Sequence, residues 1–585
     1  MILIPFLLLF LLNLLAVIIT KKKFGTVMPL SIILSCFALF FSQLLFQTFW
    51  VAIWLIALSA TGTVAFTVYA ALRKKELFKT IVSNYFTAGF FAFSIISAIS
   101  LILLYKTGFT AWDDYSHWGP MLKEMLRLDK FYSVSEAAVP YHKDYPPMAG
   151  LFELFFVRFT GYREGVAMLA SRIMQLSIIL PAIELLKDKS KVKNAASATA
   201  LFAILFLTIL FIDQHHIISS IYVDYVMALF AALAIYLAIF TKLDKFNIFY
   251  IFSIIAFLSL IKEITFVFAG IVALVILSRK IAENGWKKVY KHLVLPIIIC
   301  VIAVTGFGTW KFVVRDTETD RQFDMSHLTP SSVACVFVHK CPEQWKNDTT
   351  AKYIEALFTT NISNSYIKLS YVQELSLIAI LFIFLYSKTK KNQQNKRNFF
   401  LLSFGYFIGA IVYAIAMLVI YTCLFDEYEG GRLASFDRYL STYTLIGFTL
   451  VIFYLIHSHI ENGKTYNFFL ICCILLVVQT PIELNKLTPQ HAEYPEMSYC
   501  NAINDIAKED QQVAIIYHDV TKWNHVRYCA VPYINNLVAI PFGNTEKVAE
   551  AMEKYDHFIL IDSTEEELKE YSENKGQNIR NGIAY

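Results

Sequence analysis

The chain has 585 residues, 57% of them apolar and only 17% charged, and phenylalanine alone occurs 50 times. Soluble domains carry about 25% charged residues, so a water-soluble enzyme, a disordered chain and a collagen-like fibre are all excluded. The net charge of +5 is small, and its distribution along the chain carries more information than its total.

A bilayer core of about 30 Å takes roughly 20 apolar residues in a helix. That rule predicts an all-α polytopic membrane protein with fourteen spans. They lie near 2–20, 27–47, 50–72, 81–105, 165–186, 195–212, 219–241, 246–261, 264–278, 293–314, 366–387, 399–424, 440–458 and 466–484. The segments 246–261 and 264–278 are short enough to form a tilted or re-entrant hairpin. The apolar stretch Met148–Phe159, after a Pro-Pro pair, is too short to cross. No basic region precedes the first segment, so it does not read as a secretory signal.

Lysines and arginines set the expected orientation. Lys21, Lys22 and Lys23 open a series of basic loops that recur near 73–79, 187–193, 242–245, 279–291, 388–397 and 464, whereas the short loops near 48–49 and 213–218 have none. Basic loops stay on the cytoplasmic side. Both termini and the segments 106–164, 315–365 and 425–439 are therefore expected outside the cytoplasmic membrane. The organisation predicted is four N-terminal helices over 1–105, a first large loop over 106–164, a membrane core over 165–485, and a linker with a small α/β domain over 486–585. That last stretch holds 9 Lys/Arg against 16 Asp/Glu. Its short apolar runs Val513–Tyr517, Val538–Phe542 and Phe558–Ile561 read as strands, and Thr545–Tyr555 as a helix. Cys335, Cys341, Cys500 and Cys529 fall in segments placed outside, where Cys335–Cys341 and Cys500–Cys529 disulfides are plausible; unpaired thiols are the alternative.

The chemistry concentrates in the first large loop. Asp113 and Asp114 lie just beyond the fourth span, within Ala111-Trp-Asp-Asp-Tyr-Ser-His-Trp-Gly-Pro120. Adjacent carboxylates raise each other's proton affinity and can share a divalent cation such as magnesium or manganese. Either property suits a general base that deprotonates a hydroxyl; the plainer reading is a helix N-cap. Trp118–Leu128 has an amphipathic pattern expected to lie in the headgroup plane. His117 and the run Tyr141, His142, Lys143, Asp144, Tyr145, Pro146 and Pro147 then form a polar, aromatic lead into membrane-depth structure.

Further charges are expected on the same side. Lys262 and Glu263 interrupt an apolar run, and ionisable groups at that depth cost about 2.5–3.5 kcal/mol each; they read either as a neutralised pair at a hairpin tip or as a ligand site. Asp224 sits one turn inside its span. Arg432, Arg438 and Tyr439 stand at the mouth of the thirteenth span, where arginine anchors to lipid phosphate or grips a ligand phosphate.

Taken together, Asp113-Asp114, Tyr145-Pro146-Pro147, Lys262-Glu263 and Arg438-Tyr439 resemble the GT-C superfamily of integral-membrane glycosyltransferases, over about residues 100–460. The resemblance implies a polyprenyl-phosphate-linked sugar donor and an extracytoplasmic acceptor, whether glycan, lipid or protein. It would make Asp113 or Asp114 the acceptor-activating base, with a metal as a further option. Arg432, Arg438 and Lys262 would face the lipid phosphate, and the remaining residues above would line the substrate site. The spans ahead of the motif-bearing loop and the C-terminal domain depart from the better-known members. A polysaccharide polymerase or ligase and a lipid-linked-oligosaccharide flippase are the competing readings; no nucleic acid is expected as a partner.

Overall fold

The computed structural model describes residues 1–137, 139, 142–186, 191–212, 220–286, 289–315, 327–389, 392–462, 503, 511–530, 537–541, 545–576, 578–581, 583 and 585. The fourteenth expected span, Tyr141 and Cys500 lie outside the described residues.

Four helical segments form the N-terminal group: α1 (Leu3–Thr20), α2 (Phe24–Phe46), α3 (Trp50–Arg73), and a fourth broken into α4 (Lys75–Tyr85) and α5 (Ala88–Leu104), bent by 51°. The bend has a local cause. Thr87 accepts a hydrogen bond from Phe90 N and caps α5, which restarts the ladder in a new direction. Only 22% of α1 and 28% of α3 is buried, so their Leu- and Phe-rich faces meet lipid. The first large loop follows as a five-residue π-helical turn (Asp114–Trp118), then α6 (Gly119–Leu128) and α7 (Met148–Thr160).

The core helices are α8 (Glu164–Ser177), α9 (Leu180–Ile183), α10 (Lys191–Ile212), α11 (Val223–Phe240), α12 (Lys245–Ser259), α13 (Thr265–Asn284), α14 (Val289–His292) and α15 (Val294–Val313). After them come α16 (Pro330–Phe337), α17 (Gln344–Thr359), α18 (Tyr371–Lys388), α19 (Gln393–Val419), α20 (Glu427–Gly431) and α21 (Phe436–Asn462). A second π-helical turn, Ile420–Leu424, ends α19. Among the described residues nine helices are long and apolar enough to cross a membrane, or ten with the bent pair. The chain is therefore a multi-pass membrane protein. The expected span over 165–186 is instead α8 and α9, neither of which is long enough to cross by itself, with Pro181 opening α9. Close packing fixes α8: a Cβ on Gly165 would lie 1.9 Å from Leu104 O.

Helices α11 and α21 form the centre, each 94% buried over its apolar window. An all-round apolar helix such as α11 has no polar face to leave in solvent, so it belongs inside the bundle. The 246–278 hairpin is a 15-residue α12 and a full-length α13, joined by residues 260–264.

The C-terminal domain has the expected strands within a residue: β1 (Val513–Tyr517), β2 (Leu537–Pro541) and β3 (His557–Ile561). They pair in parallel in the order β2-β1-β3, with α22 (Val520–Ala530) and α23 (Thr545–Lys554) as crossovers and α24 (Glu565–Lys575) last. Ala514, Ile516, Val548 and Leu560 pack in its small core. Cys335 and Cys341 are disulfide-bonded.

Candidate functional site

The charges that the sequence scatters over 325 positions meet at one end of the bundle. Asp113 Oδ2 accepts from Arg438 Nη1 at 2.5 Å. Arg438 Nε lies 3.8 Å from Asp224 Oδ2, and Lys262 Nζ donates to Asp224 Oδ1 at 3.2 Å. Tyr222 and Tyr439 frame the cations: Arg438 stands 4.7 Å from the Tyr222 ring and 5.1 Å from that of Tyr439, and Lys262 stands 4.9 Å from Tyr439. Tyr222 Oη also accepts from Asp113 N at 3.2 Å.

Helix ends put these groups in place. Asp224 is in the first turn of α11, where the helix dipole favours an anion. Arg438 is in the first turn of α21, where the dipole disfavours a cation. Its position there depends on Asp113 and Asp224. Lys262 and Glu263 occupy the turn between α12 and α13 and do not neutralise each other. Lys262 turns to Asp224, whereas Glu263 pairs with Lys311 at 2.9 Å. Lys311, in the last turn of α15, also reaches Asp144 at 3.4 Å. Trp310 Nε1 donates to Asp144 O at 2.7 Å, and Met148 N donates to Leu260 O at 3.0 Å. The first large loop is thereby bolted to the membrane helices.

The adjacent aspartates have opposite environments. Burial pulls the Asp113 carboxyl up, but Arg438, His117 and Lys262 outweigh it and hold it at about 2. Asp114 is fully buried, which pushes its carboxyl well above the usual range. Two bonds to its Oδ1 oppose that rise, from Ile221 N and Ser220 Oγ at 3.1 Å each, and the neighbouring Asp113 and Glu164 charges add to it. The two carboxyls are therefore pushed in opposite directions, Asp113 towards its ionised form and Asp114 towards its neutral form, the kind of separation that assigns different duties to neighbouring acids. The two carboxyls turn to different partners, Asp113 to Arg438 and Asp114 to Ser220 and Ile221. Among the described residues no group of three His, Cys, Asp or Glu side chains is able to hold a metal ion.

Beside the ion pairs lies an aromatic group. His142 stacks on Tyr145 with centroids 4.5 Å apart, and His117 meets His142 edge-on at 4.7 Å. Burial lowers both imidazoles, His142 to about 4, against the opposing pull of Asp113; both rings are neutral near pH 7. His142 adopts φ 60°, an uncommon left-handed conformation for a non-glycine residue.

A cavity of about 300 Å³ opens from this cluster. One end carries Asp224, Lys262, Glu263, Tyr145 and Tyr439. The walls are apolar: Ile264, Phe266 and Val267 at the start of α13, Phe307 of α15, and Ala416, Met417, Ile420 and Leu424 around the second π turn. The lining, polar at the charged residues and apolar elsewhere, suits an amphipathic ligand.

Two expected residues are not brought to this place. Arg432 is half-exposed, 2.5 Å from Glu429 and stacked over Tyr428. Lys143 is half-buried beside Glu124 and Glu136. On the polar face of α6, Glu124 is fully buried against Arg127, which is itself exposed. Lys311, Tyr222 and Tyr413 belong to the site or its cavity and were not singled out from the sequence. For Lys311 a signal existed, a lysine inside an apolar span; Tyr222 and Tyr413 are aromatics among many.

No protein-family model matches the chain, and no curated protein is similar to it in sequence. The chain is similar to the solved structure of ArnT from Cupriavidus metallidurans. In the apo state that structure aligns with 84% of this chain and 96% of its own, at 10% identity and a TM-score of 0.38. The same protein bound to undecaprenyl phosphate aligns over the same shares at 9% identity and a TM-score of 0.38. The overlap is broad and loose, so the functional reading rests on the side chains of this chain.

Proposed function

We propose that the chain is a GT-C-type glycosyltransferase that moves a sugar from a polyprenyl-phosphate donor to a hydroxyl of an extracytoplasmic glycan, lipid or protein. The observation that carries this reading is the cavity with one ionic end and apolar walls, beside a carboxylate held by arginine. An isoprenoid chain suits the apolar walls, and its phosphate suits Lys262 and Arg438. ArnT of Cupriavidus metallidurans has been captured with undecaprenyl phosphate, a lipid of this chemical class.

In this reaction the acceptor oxygen forms a bond to the anomeric carbon as the bond from that carbon to the phosphate oxygen breaks. The acceptor proton goes to Asp113, and the electron pair leaves with the lipid phosphate. Without ligand, Asp113 is a poor base because Arg438 holds it ionised at about 2. An incoming phosphate competes for the same guanidinium. As Arg438 turns to it, Asp113 loses its partner and gains proton affinity, in the direction a general base requires. Lys262 and Arg438 then stabilise the departing phosphate. Neutral Asp114 holds the turn to Ser220 and Ile221 and carries no proton in the reaction.

The test is release of polyprenyl phosphate from a panel of polyprenyl-phosphate hexoses and pentoses by the purified chain, with undecaprenyl phosphate binding measured alongside. Transfer by the wild type and its loss in Asp113→Asn are expected. A wild-type chain that binds no undecaprenyl phosphate and transfers no sugar would overturn the assignment.

A further inference from the structure

Among the described residues, the C-terminal α/β domain meets the membrane domain around the turn that carries the aspartates. Arg527, Tyr528 and His525 of α22 make the contact. Arg527, 4% exposed, donates from Nη2 to Ser116 O at 3.0 Å, inside the π-helical turn itself. Tyr528, 1% exposed, donates to Glu164 Oε1 at 2.7 Å, and the other oxygen of that carboxylate accepts from Phe109 N at 2.6 Å. Because the Tyr528 proton goes to Glu164, Tyr162 donates to Tyr528 Oη at 2.6 Å. On the far side, Lys123 of α6 donates to Tyr528 O at 2.6 Å and stands 3.7 Å from its ring centroid. His525 adds an edge contact to Tyr115 at 4.4 Å.

These contacts grip the chain on both sides of the aspartate pair, at Phe109 through Glu164 and directly at Tyr115, Ser116 and Lys123. A π-helical turn is a rare element found mostly at functional sites, and a one-ångström displacement of a reacting group is enough to cost about a hundredfold in rate. The membrane domain grips Asp113 and Asp114 through Arg438, Tyr222, Ser220 and Ile221. We infer that Arg527 and Tyr528 are positioning residues, through which the C-terminal domain holds the Asp113–Asp114 turn in its reactive placement. Resting on the proposed transferase reading, this gives the extramembrane domain a part in turnover rather than in donor binding. The lipid cavity takes no lining residue from α22.

The experiment uses the full chain with Arg527→Gln, Arg527→Lys and Tyr528→Phe. Arg527→Gln and Tyr528→Phe are expected to lower kcat by about tenfold or more, while the Kd for undecaprenyl phosphate stays within about threefold of wild type. Arg527→Lys, which keeps the cation and a longer reach towards Ser116 O than glutamine has, should recover most of the rate. Amide exchange should rise selectively over residues 113–118 in Arg527→Gln, a readout that needs no substrate. Wild-type kcat in both Arg527→Gln and Tyr528→Phe overturns the inference. So does a loss of activity that follows only the folded fraction, with unchanged exchange over 113–118. If the wild type transfers no sugar, the transferase reading fails by itself and the exchange measurement still decides whether the domain holds the turn.

Discussion

Replacing Asp113 and Asp114 by asparagine, one at a time, separates two adjacent residues of the same type. Asp113 is held at about 2 against about 3.9 for a free carboxyl. At 1.36 kcal/mol per decade that interval is worth about 2.5 kcal/mol, dominated by Arg438. Asp113→Asn also leaves the buried Arg438 guanidinium with Asp224 alone, at 3.8 Å, and breaking a buried pair costs about 3–5 kcal/mol. A loss of about 2.5–4 kcal/mol is therefore expected, together with loss of transfer. Because this carboxyl is lowered by folding, its contribution is complete above about pH 4 and disappears as pH falls towards 2. Asp114→Asn should behave differently. The amide keeps an oxygen for Ser220 Oγ and Ile221 N and imitates the neutral acid. A raised carboxyl loses its stabilising part as pH rises through its folded value, so Asp114→Asn should be the more stable protein at alkaline pH. Thermal midpoints in detergent from pH 4 to pH 9, with polyprenyl phosphate release per folded molecule, provide the measurement. Equal losses in both variants, or full transfer by Asp113→Asn, would refute the reasoning.

Four other outcomes follow from the geometry. Lys262→Met should weaken undecaprenyl phosphate binding by about 10- to 100-fold, measured by titration, since it removes a cation at the ionic end of the cavity. Arg432→Gln should leave both binding and transfer within about twofold, because an exposed arginine paired with Glu429 contributes little. In Gly119→Ala the new Cβ would lie 2.5 Å from Asp114 O and 2.7 Å from the Tyr528 ring; a lowered thermal midpoint, equivalent to about 1–3 kcal/mol, and impaired transfer are expected. Reducing Cys335–Cys341, which closes a loop of sequence separation 6, should cost about 2 kcal/mol, read as a lower midpoint in dithiothreitol.

Apolar length is a local property, and the sequence carried it well. The long apolar helices among the described residues fall where runs of Leu, Ile and Phe place them, and β1, β2 and β3 lie within a residue of their apolar runs. What local reading missed was where a run breaks. The α4–α5 bend depends on Thr87, which caps α5 and also donates to Glu184 Oε1 at 2.5 Å from another helix. The α8–α9 segment reads as a span in the sequence because periodicity does not tell a buried helix from a membrane-crossing one.

The site divides in the same way. By itself, the sequence determined that Asp113, Asp114, Asp224, Lys262, Glu263 and Arg438 are ionisable groups kept among apolar helices, at a cost that demands partners. It did not determine the partners. Asp113 and Arg438 are 325 residues apart, and Lys262 chooses Asp224 over its neighbour Glu263 because the α12–α13 turn points them in different directions. Arg432 and Arg438 looked equivalent in the sequence, yet one sits beyond α20 in solvent and the other in the first turn of α21. The tertiary structure alone decided which charges meet, since Coulombic pairing falls off over a few ångströms whatever the separation along the chain. It also decided that two adjacent aspartates are shifted in opposite directions, because one faces an arginine and the other is fully buried beside the charges of Asp113 and Glu164.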